Sequence, residues 1–231
     1  MVILHKTDLP YFPPVENANE EGLLAIGGKL TIDWLLEAYS HGIFPWFNDD
    51  RAPVLWWSPD PRAVMKPQDV KIQKSMRPFF NQKKYELKID TAFEDVIEMC
   101  KKIKRKHEKG TWITRRMTEA YIDLHKKGFA HSFEAWKDNR LVGGLYGISL
   151  GRMFFGESMF AVLPNASKYA FISMCKILEK NNFNLIDCQM ETEHLKFMGC
   201  GSIKRSEFVK LLTDNRKYLT IIGNWGNILK R

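Results

Sequence analysis

The sequence predicts an α+β fold, and three observations predict it. Helical periodicity runs through 91–128, three strand-like runs with a hairpin signal fill 131–160, and after a long helical stretch from Asn165 one more strand, FNLIDCQM, appears. Helices, a run of antiparallel strands, then a helix and a last strand suggest a mostly antiparallel sheet wrapped by helices.

The first helix is TIDWLLEAYSHG, with Thr31 as N-cap and Gly42 as its stop. Trp34, Leu35, Ala38 and Tyr39 share its inward face. IFPWF and APVLWWSPDPRAVM follow as short apolar runs closed by proline turns, with Pro59 and Pro61 bracketing Asp60. This aromatic-rich stretch sets a small N-terminal α/β domain at 1–62, ahead of a larger domain at 63–231. In TAFEDVIEMCKK, Phe93, Val96, Ile97 and Cys100 recur at helical spacing before the charge run KKIKRKHEK. TRRMTEAYIDLHKKG turns Met117, Tyr121 and Leu124 inward and stops at Gly128. HSFEAWK and RLVGGLYGI flank Asp138-Asn139, a hairpin signal, and SLG leads into the strand RMFFGESMF. NASKYAFISMCKILEK is a helix capped by Asn165 that buries Phe171, Met174, Cys175 and Leu178; SEFVKLL is a last short helix.

Composition narrows the function. The chain has 231 residues, 45% of them hydrophobic and 27% charged, enough for a real core. No run of 18 apolar residues and no basic-start apolar leader occurs, so neither membrane span nor secretory signal is expected. Cys100, Cys175, Cys188 and Cys200 are dispersed, which speaks against zinc and disulfides and for a reducing cytoplasm. The formal charge of +8 favours an anionic partner such as nucleic acid or a phosphorylated cofactor. GxxxxGK[ST], strand–GxGxxG–helix and GxSxG are all missing, which disfavours nucleotide hydrolysis, a dinucleotide fold and acyl-enzyme chemistry. KFMGCG resembles a pyrophosphate cradle but follows the last strong strand instead of joining a strand to a helix.

Three stretches and one carboxylate stand out. Alternation in FNLIDCQM puts Asp187 and Gln189 on one face, where a strand leaves the core for a cleft; an ion pair at the strand end is the plainer alternative. Trp112, in GTWIT beside the basic run, is either a stacking surface for a base or a core residue. Trp46, Trp56 and Trp57 crowd within twelve residues, more than a small core needs. In FFGESMF, Glu157 is a lone carboxylate that alternation places with Met153, Phe155 and Met159. A buried ionised carboxylate either finds a cation or takes up a proton.

Together HGIFPWF, VLWWSPDPRAVM, GTWIT, LVGGLYG, FFGESMF, NASKYA and LIDCQMETEHLKFMG resemble the leucyl/phenylalanyl-tRNA–protein transferase family, collinearly from about Phe12 to Leu212. The resemblance implies a C-terminal domain of the acetyltransferase-like (GNAT) superfold. It implies an enzyme that moves leucine or phenylalanine from Leu-tRNA or Phe-tRNA to a protein's N-terminal Arg or Lys, marking it for degradation. No metal or coenzyme is implied, since the aminoacyl ester is already activated. A cytoplasmic monomer is expected.

Carried over by residue, the resemblance implies a polar pair at Asp187 and Gln189, with the Gln189 carbonyl orienting the attacking amine. Met153, Phe154, Met159 and Leu145 are expected to line the aminoacyl pocket, and Trp46 and Trp112 to flank the 3′ adenosine. Glu157 is expected to attract a cation beside that pocket, acting with Asp187 as an anionic patch. Lys101, Lys102, Lys104, Arg105 and Lys106, with Arg77, Lys83 and Lys84, are candidate tRNA-backbone contacts. METEH is more acidic than the family's usual run, with Thr192 where Asn is expected, which bears on the acceptor. The alternatives are an acetyl-CoA-dependent N-acetyltransferase of the same superfold, the same transfer to an acidic N-terminus, and a non-catalytic RNA-binding protein.

Overall fold

The computed structural model describes residues 2–7, 9–103 and 113–229. Two sheets are present. The smaller has the order β1-β2-β4-β3 and comprises Val2–Leu4 (β1), Leu23–Gly27 (β2), Phe44–Pro45 (β3) and Leu55–Trp57 (β4). Helix Ile32–Ser40 (α1) connects β2 to β3. Its Trp34, Leu35, Ala38 and Tyr39 are buried as the spacing predicts, and Gly42 ends it at φ 75°, the left-handed conformation that suits glycine. Thr31 holds the N-cap backbone geometry without a side-chain cap bond.

The larger sheet begins at Arg62–Met65 (β5). There follow the short helix Arg77–Asn81 (α2), Glu86–Ile89 (β6), helices Phe93–Lys102 (α3) and Arg115–Lys126 (α4), and strands Ala130–Lys137 (β7), Arg140–Leu150 (β8) and Met153–Ala161 (β9). Helix Ala166–Lys180 (α5), strand Leu185–Gln189 (β10), helix Glu193–Phe197 (α6), strand Gly201–Ile203 (β11), and helices Arg205–Asn215 (α7) and Trp225–Ile228 (α8) complete the described chain. The order is β11-β5-β10-β9-β8-β7-β6, and every pairing is antiparallel except β9 with β10. This is the mostly antiparallel, helix-flanked α+β sheet that the sequence predicts.

Asp138 and Asn139 join β7 to β8 with φ of 49° and 57°, the paired left-handed residues of a tight hairpin. Asn165 differs from expectation: at φ 63° it turns the chain into α5 without a side-chain cap bond. The N-terminus of α3 is capped from outside by Glu134 on β7, which accepts from the Thr91 and Ala92 amides.

Apolar packing covers both faces of the large sheet. One cluster joins α3, α4 and α7 to Phe155 and Leu185 and runs on into Trp34 and Tyr39 of the small unit. The other packs α5 and Trp225 against Phe154 and Ile186. Trp225 is fully buried and stacks on His131 with ring centroids 3.7 Å apart, so the C-terminal stretch anchors the core.

Candidate active site

The site forms where the two parallel strands part. Pairing of β10 with β9 runs from Leu185↔Met153 to Asp187↔Phe155. Beyond that, each strand is irregular. The β8–β9 register shifts between Tyr146↔Ser158 and Gly147↔Gly156, leaving Glu157 as the extra residue. The β10–β5 register shifts between Asp187 and Gln189, and Gln189 takes φ 61°. These two bulges re-aim Glu157 and Gln189 toward each other: Gln189 Nε2 donates to Glu157 Oε1 at 2.8 Å.

Asp187 goes elsewhere. It is fully buried and accepts from Arg62 on β5 through both oxygens, Nε to Oδ1 at 2.8 Å and NH2 to Oδ2 at 2.7 Å. The Arg62 guanidinium also donates to the Gly42 carbonyl and lies over the Phe44 and Phe208 rings. Asp187 Oδ1 accepts the Gln189 backbone N–H at 2.9 Å, so the ion pair pins the bulge that turns Gln189. Strict alternation had Asp187 and Gln189 projecting together into a cleft. The plainer alternative, an ion pair, describes Asp187.

The Glu157 carboxyl group is enclosed by three partners. Besides Gln189, Tyr39 Oη lies 2.5 Å from Oε1 and Tyr121 Oη lies 2.9 Å from Oε2, while the two phenol oxygens are 2.6 Å apart. Burial raises its pKa from the ordinary 4.5 to about 7, against the lowering effect of its hydrogen bonds. The cation expected beside Glu157 is not among these partners, and burial shifts the group toward its protonated form.

Beside this network opens a cavity of about 320 Å³. Leu145, Phe154 and Met159 line it, together with Phe171, Met174 and Ile186. Met153 does not: it packs with Phe155 and Leu185 in the cluster on the opposite face of β9. The bulge explains why Met153 and Met159 part, because the extra residue at Glu157 moves Met159 to the face of Phe154. Thr192 and His194 also line the cavity. A larger cleft of about 540 Å³, between α1 and residues 212–220, contains none of the expected site residues.

Trp46 is partly exposed and meets Trp57 edge-on with centroids 5.4 Å apart, outside the cavity lining; Trp56 is a buried core residue. Trp112, Lys104, Arg105 and Lys106 lie outside the described residues. Lys101 and Lys102 end α3, with Lys101 3.7 Å from Glu98. Arg77, Lys83 and Lys84 are exposed around α2. Among the described residues, no three His, Cys, Asp or Glu side chains form a metal-binding group, and no helix is long and apolar enough to cross a membrane.

Tyr39, Tyr121 and Arg62 are the site residues the sequence did not single out. Helical spacing gives both tyrosines as inward-facing, which is correct, yet it does not reveal that their hydroxyls meet one carboxyl group.

A polar network is set against an apolar cavity at this site, and the comparisons place the chain among the aminoacyltransferases. Residues 64–213 match the model of the leucyl/phenylalanyl-tRNA protein transferase family, and 28–60 match that of its N-terminal domain. The leucyl/phenylalanyl-tRNA–protein transferase of Azoarcus sp. is 52% identical over 204 residues, covering 87% of this chain and 86% of that one. Those of Flavobacterium johnsoniae (51%, covering 87% and 95%) and Thiobacillus denitrificans (48%, covering 95% and 96%) are similarly close. The chain belongs to the leucyl/phenylalanyl-tRNA–protein transferase family, and its substrates are accordingly an aminoacyl-tRNA and a protein. Among solved structures, L-PGS from Bacillus licheniformis aligns at TM-score 0.38 and 10% identity over 87% of this chain and 62% of that one. A GCN5-related N-acetyltransferase-like protein from Streptococcus suis aligns at 0.32 and 14% over 78% and 68%.

Proposed function

We propose that this enzyme transfers leucine or phenylalanine from the 3′ end of Leu-tRNA or Phe-tRNA to the α-amino group of an N-terminal Arg or Lys, creating an N-terminal signal for degradation in the cytoplasm. The single observation carrying this reading is the Gln189 amide, fixed by Glu157 at the wall of an apolar cavity of about 320 Å³. Leu145, Phe154, Met159, Phe171 and Met174 would hold the aminoacyl side chain by shape and desolvation. A side chain branched at Cβ would meet these walls, and a methylene-scale misfit costs about 1–3 kcal/mol, so discrimination is real and incomplete.

The Gln189 carbonyl accepts a hydrogen bond from the incoming neutral amine and aims its lone pair at the ester carbonyl. Nitrogen–carbon bond formation and cleavage of the ester bond to the ribose oxygen then complete aminolysis. An amide is too weak a base to keep the amine's proton. Asp187 is closed to substrate, with both oxygens on Arg62, so the proton passes to the departing ribose oxygen. Asp187 supports the reaction by holding Gln189, and a monomer suffices.

Lys101, Lys102, Lys104, Arg105, Lys106, Arg77, Lys83 and Lys84 would meet the tRNA backbone, with Trp46 and Trp112 stacking near the terminal adenosine, each worth about 1–3 kcal/mol. The test is transfer from Leu-tRNA and Phe-tRNA to peptides beginning Arg, Lys, Met, Asp or Glu. Products with Arg and Lys alone are expected. Transfer to Asp or Glu in their place overturns the acceptor assignment.

A further inference from the structure

Three oxygen–oxygen contacts close a ring in the cavity wall: Tyr39 to Glu157 Oε1 at 2.5 Å, Tyr39 to Tyr121 at 2.6 Å, and Tyr121 to Glu157 Oε2 at 2.9 Å. Each contact at such a distance needs one proton between its oxygens. The two phenols bring two. Both keep them, because burial raises their pKa values well above the ordinary 10. Were Glu157 ionised, one contact would press lone pairs together with no proton between, in a buried setting where such a mismatch is expensive.

A carboxyl proton on Oε2 completes the ring. Oε2–H donates to Tyr121, Tyr121 donates to Tyr39, and Tyr39 donates to Oε1. That leaves Oε1 as acceptor only, so it selects the Nε2–H of Gln189, the contact seen at 2.8 Å, and turns the Gln189 carbonyl away from Glu157.

We propose that Tyr39, Tyr121 and Glu157 are positioning residues that share three protons in a closed, neutral ring, and that this ring sets the orientation of the Gln189 amide. Charge explains why neutrality suits the reaction. An anion beside the attacking amine would favour its ammonium form, which has no lone pair to attack with. A neutral ring orients the amide without adding that field. The titratable groups around Glu157 agree: Tyr39 from α1, Tyr121 from α4 with Tyr146 of β8 edge-on behind it, and Asp187 from β10, whose charge is matched by Arg62 of β5. The remaining near anion therefore faces its own cation, and no free cation holds Glu157 ionised among these neighbours.

The consequence for catalysis rests on the aminoacyl-transfer reading; the proton count does not. The experiment is infrared difference spectroscopy of the intact protein, wild type minus Glu157→Gln, titrated from pH 5 to 9, with single-turnover transfer measured in parallel. The expected result is the carbonyl stretch of a protonated carboxylic acid at pH 6 that fades with a midpoint near 7. Transfer by Tyr39→Phe and Tyr121→Phe should fall about ten-fold or more at unchanged fold, and Glu157→Gln, which can rebuild the ring with its amide N–H, should outperform Glu157→Ala by about the same factor. No acid band at pH 6, or Glu157→Gln no better than Glu157→Ala, overturns the neutral ring. An acid band in a wild-type protein that transfers neither leucine nor phenylalanine upholds the ring and overturns the reaction.

Discussion

Arg62 and Asp187 are both wholly buried and meet through two short charge-assisted bonds, so neither can lose its partner cheaply. Asp187→Ala strands the guanidinium between two phenylalanine rings and should cost about 3–5 kcal/mol in denaturant unfolding. Glu157 couples stability to pH. Its folded pKa of about 7 exceeds its ordinary 4.5, so the folded state binds its proton more tightly than the unfolded state. The stabilisation from this proton is complete below about 4.5 and is lost as pH rises to about 7 and beyond. Chemical unfolding across that range should show the wild type losing stability with rising pH relative to Glu157→Gln; parallel curves would show that Glu157 ionises freely. From the sequence, Glu157 stands out as a charge among apolar neighbours and Gln189 as a polar strand end. Their partners do not, because Tyr39 and Tyr121 come from helices 82 positions apart whose spacing reports burial and not hydroxyl direction.

Two bulges decide which side chains reach the cavity. The helices α1, α3, α4 and α5 and the β7–β8 hairpin follow from spacing, capping residues and the Asp138-Asn139 turn, since those signals are local. β1, β2, β6 and β11 are three to five residues long and carry too few alternations to be recognised. Alternation fails at Glu157 and Gln189 for a physical reason: an inserted residue reverses every face beyond it. That reversal leaves Met153 off the pocket that Phe154 and Met159 line and separates Asp187 from Gln189. Gly147 makes the first bulge feasible, because a Cβ there would sit 2.2 Å from the Phe155 carbonyl oxygen and 2.7 Å from the Phe154 ring. Gly147→Ala should therefore cost about 1–3 kcal/mol by overpacking and depress transfer beyond its effect on folding. Transfer and thermal unfolding measured on the same preparation separate the two effects.

Across the molecule, an apolar cluster continuous from Trp34 and Tyr39 to Phe155 and Leu212 ties the small sheet to the large one, which is how a tyrosine of α1 helps build a site on β9 and β10. The family motifs and the α+β class are carried by the sequence itself. The C-terminal anchor is not, since Trp225 lies beyond the quoted motifs and the family-model match at 64–213 yet fills the core beside His131. Trp225→Ala should cost about 3–5 kcal/mol by cavity formation, read from denaturant unfolding. With a net charge of +8, tRNA binding should weaken steeply with salt and largely regardless of sequence, and an affinity that barely changes between low and physiological salt would remove the backbone contacts from the account. The most direct test of the whole account is single-turnover transfer of leucine and phenylalanine from tRNA to a peptide beginning with Arg, by wild type and Gln189→Ala. The wild type should transfer both, and Gln189→Ala should lose about a hundred-fold or more in rate at unchanged melting temperature. A Gln189→Ala enzyme that transfers at near the wild-type rate contradicts the central role given to that amide.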